Sequence, residues 1–170
     1  MERGMVHLYC GDGKGKTTAA MGLALRALGA GMRVAVVQFL KGGHSSELAP
    51  LEKLGAAVFS GGCGSKFVFQ MDQQEKEETR RQQDALLRRA LAEPCDLLVL
   101  DEACAACSLG MVDQELLRGA VQNRPAGCEV VLTGRDPAEW MQNAADYITE
   151  MRAVRHPFEK GVAARRGVEF

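Results

Sequence analysis

The sequence predicts a three-layer α/β domain with a mostly parallel central sheet. Three observations carry that expectation. Short runs such as Val34–Val37 and Leu97–Leu100 are apolar in continuous sequence, the mark of strands covered by helices on both faces. These runs alternate with stretches of helical pattern, as strand–helix–strand units do. A glycine-rich segment, Cys10-Gly11-Asp12-Gly13-Lys14-Gly15-Lys16-Thr17-Thr18, joins the first apolar run to the first helical stretch.

Taken in order, Met5–Tyr9 reads as a buried strand. Lys16–Leu28 is rich in alanine and leucine, both strong helix formers, and Gly29 and Gly31 supply the backbone freedom of a helix stop. Arg33–Leu40 is the second strand, with Lys41-Gly42-Gly43 as the loop at its carboxyl end, the side of an open α/β sheet where ligands bind. A short helix over Leu48–Leu54 and a short strand over Ala56–Phe59 follow. Ser60–Val68 is an irregular glycine-rich loop ending in Phe67 and Phe69, two aromatics that either pin the loop to the core or serve a ligand. Gln73–Ala92 lacks proline and predicts a long helix, its polar run Gln73–Gln83 a solvated face.

Leu97–Leu100 delivers Asp101 and Glu102 to the sheet's carboxyl edge, followed by Cys104 and Cys107 on a helix. That cysteine pair has no second pair or neighbouring histidine and reads as buried and inert. Val112–Gln122 is a helix, and Asn123–Gly127 is turn chemistry. Cys128–Leu132 is a strand with Thr133-Gly134-Arg135 at its end, where Arg135 serves either a phosphate or a surface salt bridge. Pro137–Ala144 predicts a helix with proline at its start and Tyr147–Met151 a last strand. The tail from His156 to Phe170 carries too many turn residues for a helix and is expected as an edge strand or hairpin.

The glycine-rich segment has the mechanics of a P-loop. Glycines let the backbone approach phosphates, and the following helix N-terminus adds partial positive charge. Gly11, Asp12, Gly13, Lys14, Gly15, Lys16, Thr17 and Thr18 form the candidate nucleotide cradle. Lys16 supplies a point charge and the Thr17 hydroxyl a ligand for Mg²⁺. One departure stands out: Cys10 occupies the place of the usual first glycine. Asp101 and Glu102 fall where P-loop proteins carry the acid that binds or positions the metal. The expected architecture is therefore the P-loop NTPase (RecA-like) fold, as a single domain over residues 1–170.

Composition narrows the function classes. With 46% hydrophobic and 25% charged residues, the 170-residue chain has ordinary globular composition. A net charge of -1 offers no global attraction to nucleic acid or anionic membrane. No apolar run approaches the roughly 20 residues of a membrane span. Six scattered cysteines lack a disulfide or zinc-ribbon rhythm, which fits a reduced cytoplasmic setting.

Gly11–Ala20 resembles the signature of the P-loop ATP:corrinoid adenosyltransferases. The resemblance continues through Arg26, Gln38–Gly42, Glu47, Gly64–Phe69, Leu100–Glu102, Thr133–Arg135, Ala145-Asp146, Met151, His156–Phe158, Gly161 to Arg165, and Gly167–Phe170. It implies transfer of the adenosyl group of ATP to the cobalt(I) of a corrinoid (cobalamin, cobinamide or cobyrinic acid diamide), with inorganic triphosphate leaving. Thr17, Asp101 and Glu102 would serve Mg²⁺ (or Mn²⁺), and Lys16 the triphosphate, with Arg26 and Arg135 at the nucleotide. Phe67 and Phe69 would cover the lower corrin face and displace its axial ligand; tryptophan is common in the family at the second position. The resemblance also implies a flavoprotein reductant and a homodimer, with no nucleic-acid or membrane partner. Some longer relatives close the site with an N-terminal extension, so closure here is expected to differ. A P-loop ATPase or kinase and a non-catalytic nucleotide-binding module are the alternatives.

Overall fold

The computed structural model describes residues 4–42, 45–64 and 66–169. Gly43, Ser65 and Phe170, named above among the motifs, lie outside the described residues. Six strands are formed: β1 (Val6–Cys10), β2 (Val34–Gln38), β3 (Ala57–Ser60), β4 (Leu97–Asp101), β5 (Glu129–Thr133) and β6 (Tyr147–Glu150). They make one sheet in the order β3-β2-β4-β5-β1-β6, each neighbouring pair parallel. All six carboxyl ends therefore point to one edge.

Successive side chains in a strand face opposite ways, so each central strand feeds two cores. Leu8, Val37, Leu98, Leu100 and Leu132 pack against α3 (Gln73–Ala92), α4 (Ala103–Ser108), α5 (Gln114–Gln122) and α6 (Glu139–Ala144). Val34, Val36, Leu97, Val99 and Val131 pack against α1 (Lys16–Gly29) and α2 (Leu48–Lys53). The continuous apolar runs have this cause: both faces of β2, β4 and β5 are covered.

Several boundaries differ from those expected, each for a local reason. β2 ends at Gln38 because Leu40 turns into the left-handed region at φ 57°. α5 starts at Gln114 because Asp113 caps it, accepting the Leu116 N–H at 2.9 Å. α6 starts at Glu139, and Pro137 precedes the helix instead of opening it. α3 spans the expected residues, fixed by a capping box in which Asp72 and Glu75 bond each other's backbone N–H. Its polar run is not wholly solvated. Gln83 is fully buried, and its amide accepts the Leu40 N–H and donates to the Gly61 carbonyl, both at 3.0 Å. One helix thus pins the loops after β2 and β3.

The tail holds no strand among the described residues. Pro157 lacks an N–H for a ladder. The chain instead makes a 3-10 turn over Pro157–Lys160, capped by His156 Nδ1 accepting the Phe158 N–H and closed by Gly161 at φ 73°.

Candidate active site

The glycine-rich loop joins β1 to α1, and its shape is set by the chain that follows β6. Gly13 donates its N–H to the Met151 carbonyl at 2.7 Å. A Cβ on Gly13 would lie 2.7 Å from that same oxygen, so any side chain there would force the two segments apart. Gly11 and Gly15 take φ of 102° and 116°, left-handed values that favour glycine. Asp12 accepts the Ala153 N–H at 3.0 Å, a bond that holds its carboxyl below the usual range. Met151–Ala153 is therefore a brace for the loop. Gly15 caps α1 without any side-chain hydrogen bond, so the helix presents N–H groups for a ligand.

Lys16 Nζ curls back to donate to the Gly13 carbonyl at 2.7 Å. Burial lowers its pKa below the usual lysine value, and the nearby Arg135 cation lowers it further. Thr17 Oγ1 donates to Asp101 Oδ1 at 2.8 Å. Asp101 is fully buried, and its other partners complete a closed set. Thr133 Oγ1 donates to Oδ1 at 2.7 Å, and Gln38 Nε2 and Lys41 Nζ donate to Oδ2 at 3.1 and 2.9 Å. A carboxylate offers about four lone-pair sites, and four donors occupy them. Because the Thr17 proton is committed to Asp101, the free lone pairs of its oxygen remain for a cation.

Glu102 sits at φ 60° at the start of α4, its N–H donated to Thr133 Oγ1 at 2.9 Å. Burial raises its carboxyl above the usual range and the Asp101 charge adds to this, against the pull of Lys41, Lys16 and Arg135. Those opposing charges mark Glu102 as facing the loop. Among the described residues, no three His, Cys, Asp or Glu side chains converge as a metal cage. A hydroxyl, one or two carboxylates and substrate phosphates are the usual surroundings of Mg²⁺, so the donor set fits that ion in a nucleotide complex.

Arg135, at the end of β5, faces the loop: its charge acts on Asp12, Lys16 and Glu102. It makes no salt bridge among the described residues. Arg26 stands apart on the last turn of α1, ten residues beyond Lys16 and so about 15 Å along the helix axis, where its charge acts on Tyr9. Thr17 and Thr18 line a cavity of about 410 Å³ with Lys41, Glu47 and Val168. Lys14 lines a neighbouring cavity of about 370 Å³ with Arg152, Phe158 and Arg165. The C-terminal tail thus walls the loop on one side. Cys104 packs beneath Gly134, and burial pushes its thiol up to about 12, as suits an inert cysteine.

Phe67 and Phe69 are not pinned to the core. Their rings stack on each other, centroids 5.6 Å apart and planes 6° from parallel, at exposures of 68% and 82%. The loop is anchored instead by buried Cys63 and Met71, by the Gln83–Gly61 bond and by the Lys66–Glu75 ion pair. Phe69 lies in a 3-10 turn, Val68–Gln70, whose first N–H group is preceded by Phe67 N–H donating to Gln70 Oε1 at 3.0 Å. β3, which leads into this loop, is four strand positions from β1, or about 19 Å along the same sheet edge.

The structure brings Lys16, Thr17, Asp101, Glu102 and Arg135 into one cluster and leaves Arg26 outside it. Lys41, Thr133 and Met151 belong to that cluster, although residue chemistry alone did not single them out. Lys41 and Thr133 carried two usable signals, a position at the carboxyl end of a strand and a place in the family pattern. Met151 acts through its backbone, and no side-chain pattern announces that.

Residues 2–170 match the family model described as ATP:corrinoid adenosyltransferase BtuR/CobO/CobP. A corrinoid adenosyltransferase of Pseudomonas aeruginosa is 37% identical, covering 99% of this chain and 85% of its own. The corrinoid adenosyltransferase CobA of Salmonella typhimurium is 36% identical, covering 99% and 87% respectively. The corrinoid adenosyltransferase of Escherichia coli K12 is 35% identical with the same coverage.

Proposed function

The chain belongs to the ATP:corrinoid adenosyltransferase family, and from that premise we propose how its residues carry the reaction. The enzyme is a corrinoid adenosyltransferase of adenosylcobalamin synthesis, with ATP as co-substrate and a corrinoid as acceptor. The cobalt(I) of the corrinoid attacks the ribose C5′ of ATP. A Co–C bond forms, the C5′–O bond breaks, and inorganic triphosphate departs with the bonding electrons.

No water is activated in this reaction, so no general base is needed. What the transition state needs is positive charge on the leaving triphosphate. Lys16 exchanges the Gly13 carbonyl for a phosphate oxygen, and the uncapped N–H groups of α1 face the same charge. Lys14, Arg135 and the cradle residues Gly11, Asp12, Gly13, Gly15 and Thr18 complete the binding surface. Arg26 enters only as a residue of the family pattern. Thr17 and Glu102 would hold Mg²⁺ (or Mn²⁺), which supplies further neutralisation of the triphosphate. Asp101, whose carboxylate accepts from Thr17 and Lys41, orients both from behind and would act on the cation chiefly through Thr17.

The stacked Phe67–Phe69 pair forms an apolar platform for the corrin face. An aromatic surface there excludes an axial ligand, and four-coordinate cobalt(II) is then easier to reduce to the nucleophilic cobalt(I). A flavoprotein reductant, a homodimeric assembly and a cytoplasmic setting complete the proposal. All six cysteines are free, in support of a reduced compartment, and among the described residues no helix is long and apolar enough to cross a membrane.

The observation that carries the reading is a juxtaposition. An uncapped loop–helix cradle and a solvent-facing aromatic pair lie on one sheet edge. The test is the product: MgATP and cobalt(I) corrinoid should yield inorganic triphosphate and a new Co–C absorption spectrum. ADP and phosphate released without corrinoid would replace this reading with an ATPase, and nucleotide affinity without turnover would replace it with a binding module.

A further inference from the structure

The opposite, amino-terminal edge of the sheet carries a second chemistry-bearing feature. A cavity of about 650 Å³ opens there, its walls including Leu91, Pro94, Cys95, Leu116, Arg124 and Cys128. Cys95 precedes β4 and Cys128 precedes β5, neighbouring strands in which Leu97 is registered with Glu129. Asp96 is therefore opposite Cys128, and Cys95 sits one step diagonally from it. At ordinary strand spacing and rise, that diagonal puts the two Cα atoms about 5.8 Å apart, inside the ~4.4–6.8 Å that a disulfide spans. The side chains already turn toward each other, with the sulfurs 3.9 Å apart. Cys95 is half-buried and reachable from the cavity, whereas Cys128 is buried.

We propose that Cys95 and Cys128 form a peroxide-sensitive thiol pair that closes to an intrachain disulfide. Cys95 is the attacking thiol. The hydrogen bond with Cys128 holds it below its ordinary pKa against burial and the Asp96 charge, with only a small pull from Arg33, while the same bond and burial hold Cys128 above its own. The Cys95 thiolate attacks one oxygen of hydrogen peroxide, breaking the O–O bond to give a sulfenic acid and hydroxide. Cys128 sulfur then attacks the sulfenic sulfur. The S–S bond forms, the sulfenic hydroxyl leaves as water with the Cys128 proton, and the first hydroxide recovers the proton lost from Cys95. In sum, two thiols lose two electrons and two protons, and one peroxide becomes two waters.

The bond would tie the amino ends of β4 and β5, six residues from Asp101 and so about 20 Å from it along β4. Adenosyl transfer should therefore change less than about twofold on oxidation. Thermal stability should rise, because the cross-link closes the long loop from 95 to 128 in the unfolded chain.

The experiment treats the full-length protein with hydrogen peroxide and follows intact mass, peptide mapping and melting temperature. The expected result is a loss of 2 Da per chain and a linked 95–128 peptide pair. Tm should rise by about 5–10 °C, dithiothreitol should reverse both changes, and Cys95→Ser should show neither. A bridge joining other cysteines, a gain of 16 or 32 Da at Cys95 without a bridge, or an unchanged mass would each overturn the proposal. The mapping of the unsubstituted chain decides the matter even where a variant folds poorly.

Discussion

The two candidate loops of the sheet edge are built in opposite ways. The loop at β1 is clamped: Gly13 and Asp12 bond the backbone of Met151 and Ala153, and Thr17 is locked into a five-residue network around buried Asp101. The loop after β3 is tethered at its ends by Cys63, Met71 and Gln83, and presents two phenyl rings to solvent. The contrast follows from what each is proposed to hold. A triphosphate is a compact anion whose transition-state charge is best met by donors fixed in advance. A corrin face is broad and apolar, and is met by exposed aromatic area.

That contrast predicts unequal mutational costs. The largest loss is expected at Lys16. Lys16→Ala should lower turnover roughly 100- to 1,000-fold, with no loss of melting temperature, because burial already disfavours its charge in the folded state. Steady-state kinetics beside a thermal melt would decide it, and near-normal turnover would break the assignment. Next comes the clamp itself. Gly13→Ala puts a Cβ against Met151 O, and should cost about 10- to 100-fold in kcat/KM for ATP. An unaffected variant would mean that the brace from β6 does not shape the cradle.

The open loop should behave differently. Phe69→Ala should slow reaction starting from cobalt(II) about tenfold or more, and reaction from pre-reduced cobalt(I) less than about threefold. Melting temperature should hardly move, since the ring is 82% exposed. Equal losses from both starting states would remove the ligand-displacing role.

The smallest effect sharpens the cost of the clamp. Burial raises the Glu102 carboxyl in the folded protein, so between its unfolded and folded pKa values the native state binds more protons. Stability contributed by that group is full below the unfolded value, near 4.5, and falls as pH rises through the folded one. Glu102→Gln should therefore melt a few degrees higher than the parent at neutral pH. The difference should vanish toward pH 4. A lower melting point for the variant at pH 7 would reverse the sign and show that Lys16, Lys41 and Arg135 outweigh desolvation.

Much of this was legible in the chain as written. Continuous apolar runs announce strands covered on two faces, and those strands run where expected to within a residue or two. The helix Gln73–Ala92 was readable as a polar run without proline, and the Asp72–Glu75 capping box is what fixes its start in the fold. Local chemistry likewise singles out Lys16 and Thr17 as candidates, since strand, glycine turn and helix are contiguous in sequence, and Asp101 as an acid closing an apolar strand.

Tertiary structure decided what contiguity cannot. Gln83 looks solvated in a polar run and is buried, because two loops from elsewhere bring it a carbonyl and an N–H. Phe67 and Phe69 would suit a core equally well, and only their placement beyond β3 exposes them. Arg135 is turned to the loop, and Asp101 is enclosed by four donors drawn from α1, β2, the loop after it and β5. The sequence by itself determined which segments pair their backbone locally and bury apolar surface. Which distant side chains share a site depended on strand order and register, quantities set by the packing of the whole sheet and carried by no single stretch of residues.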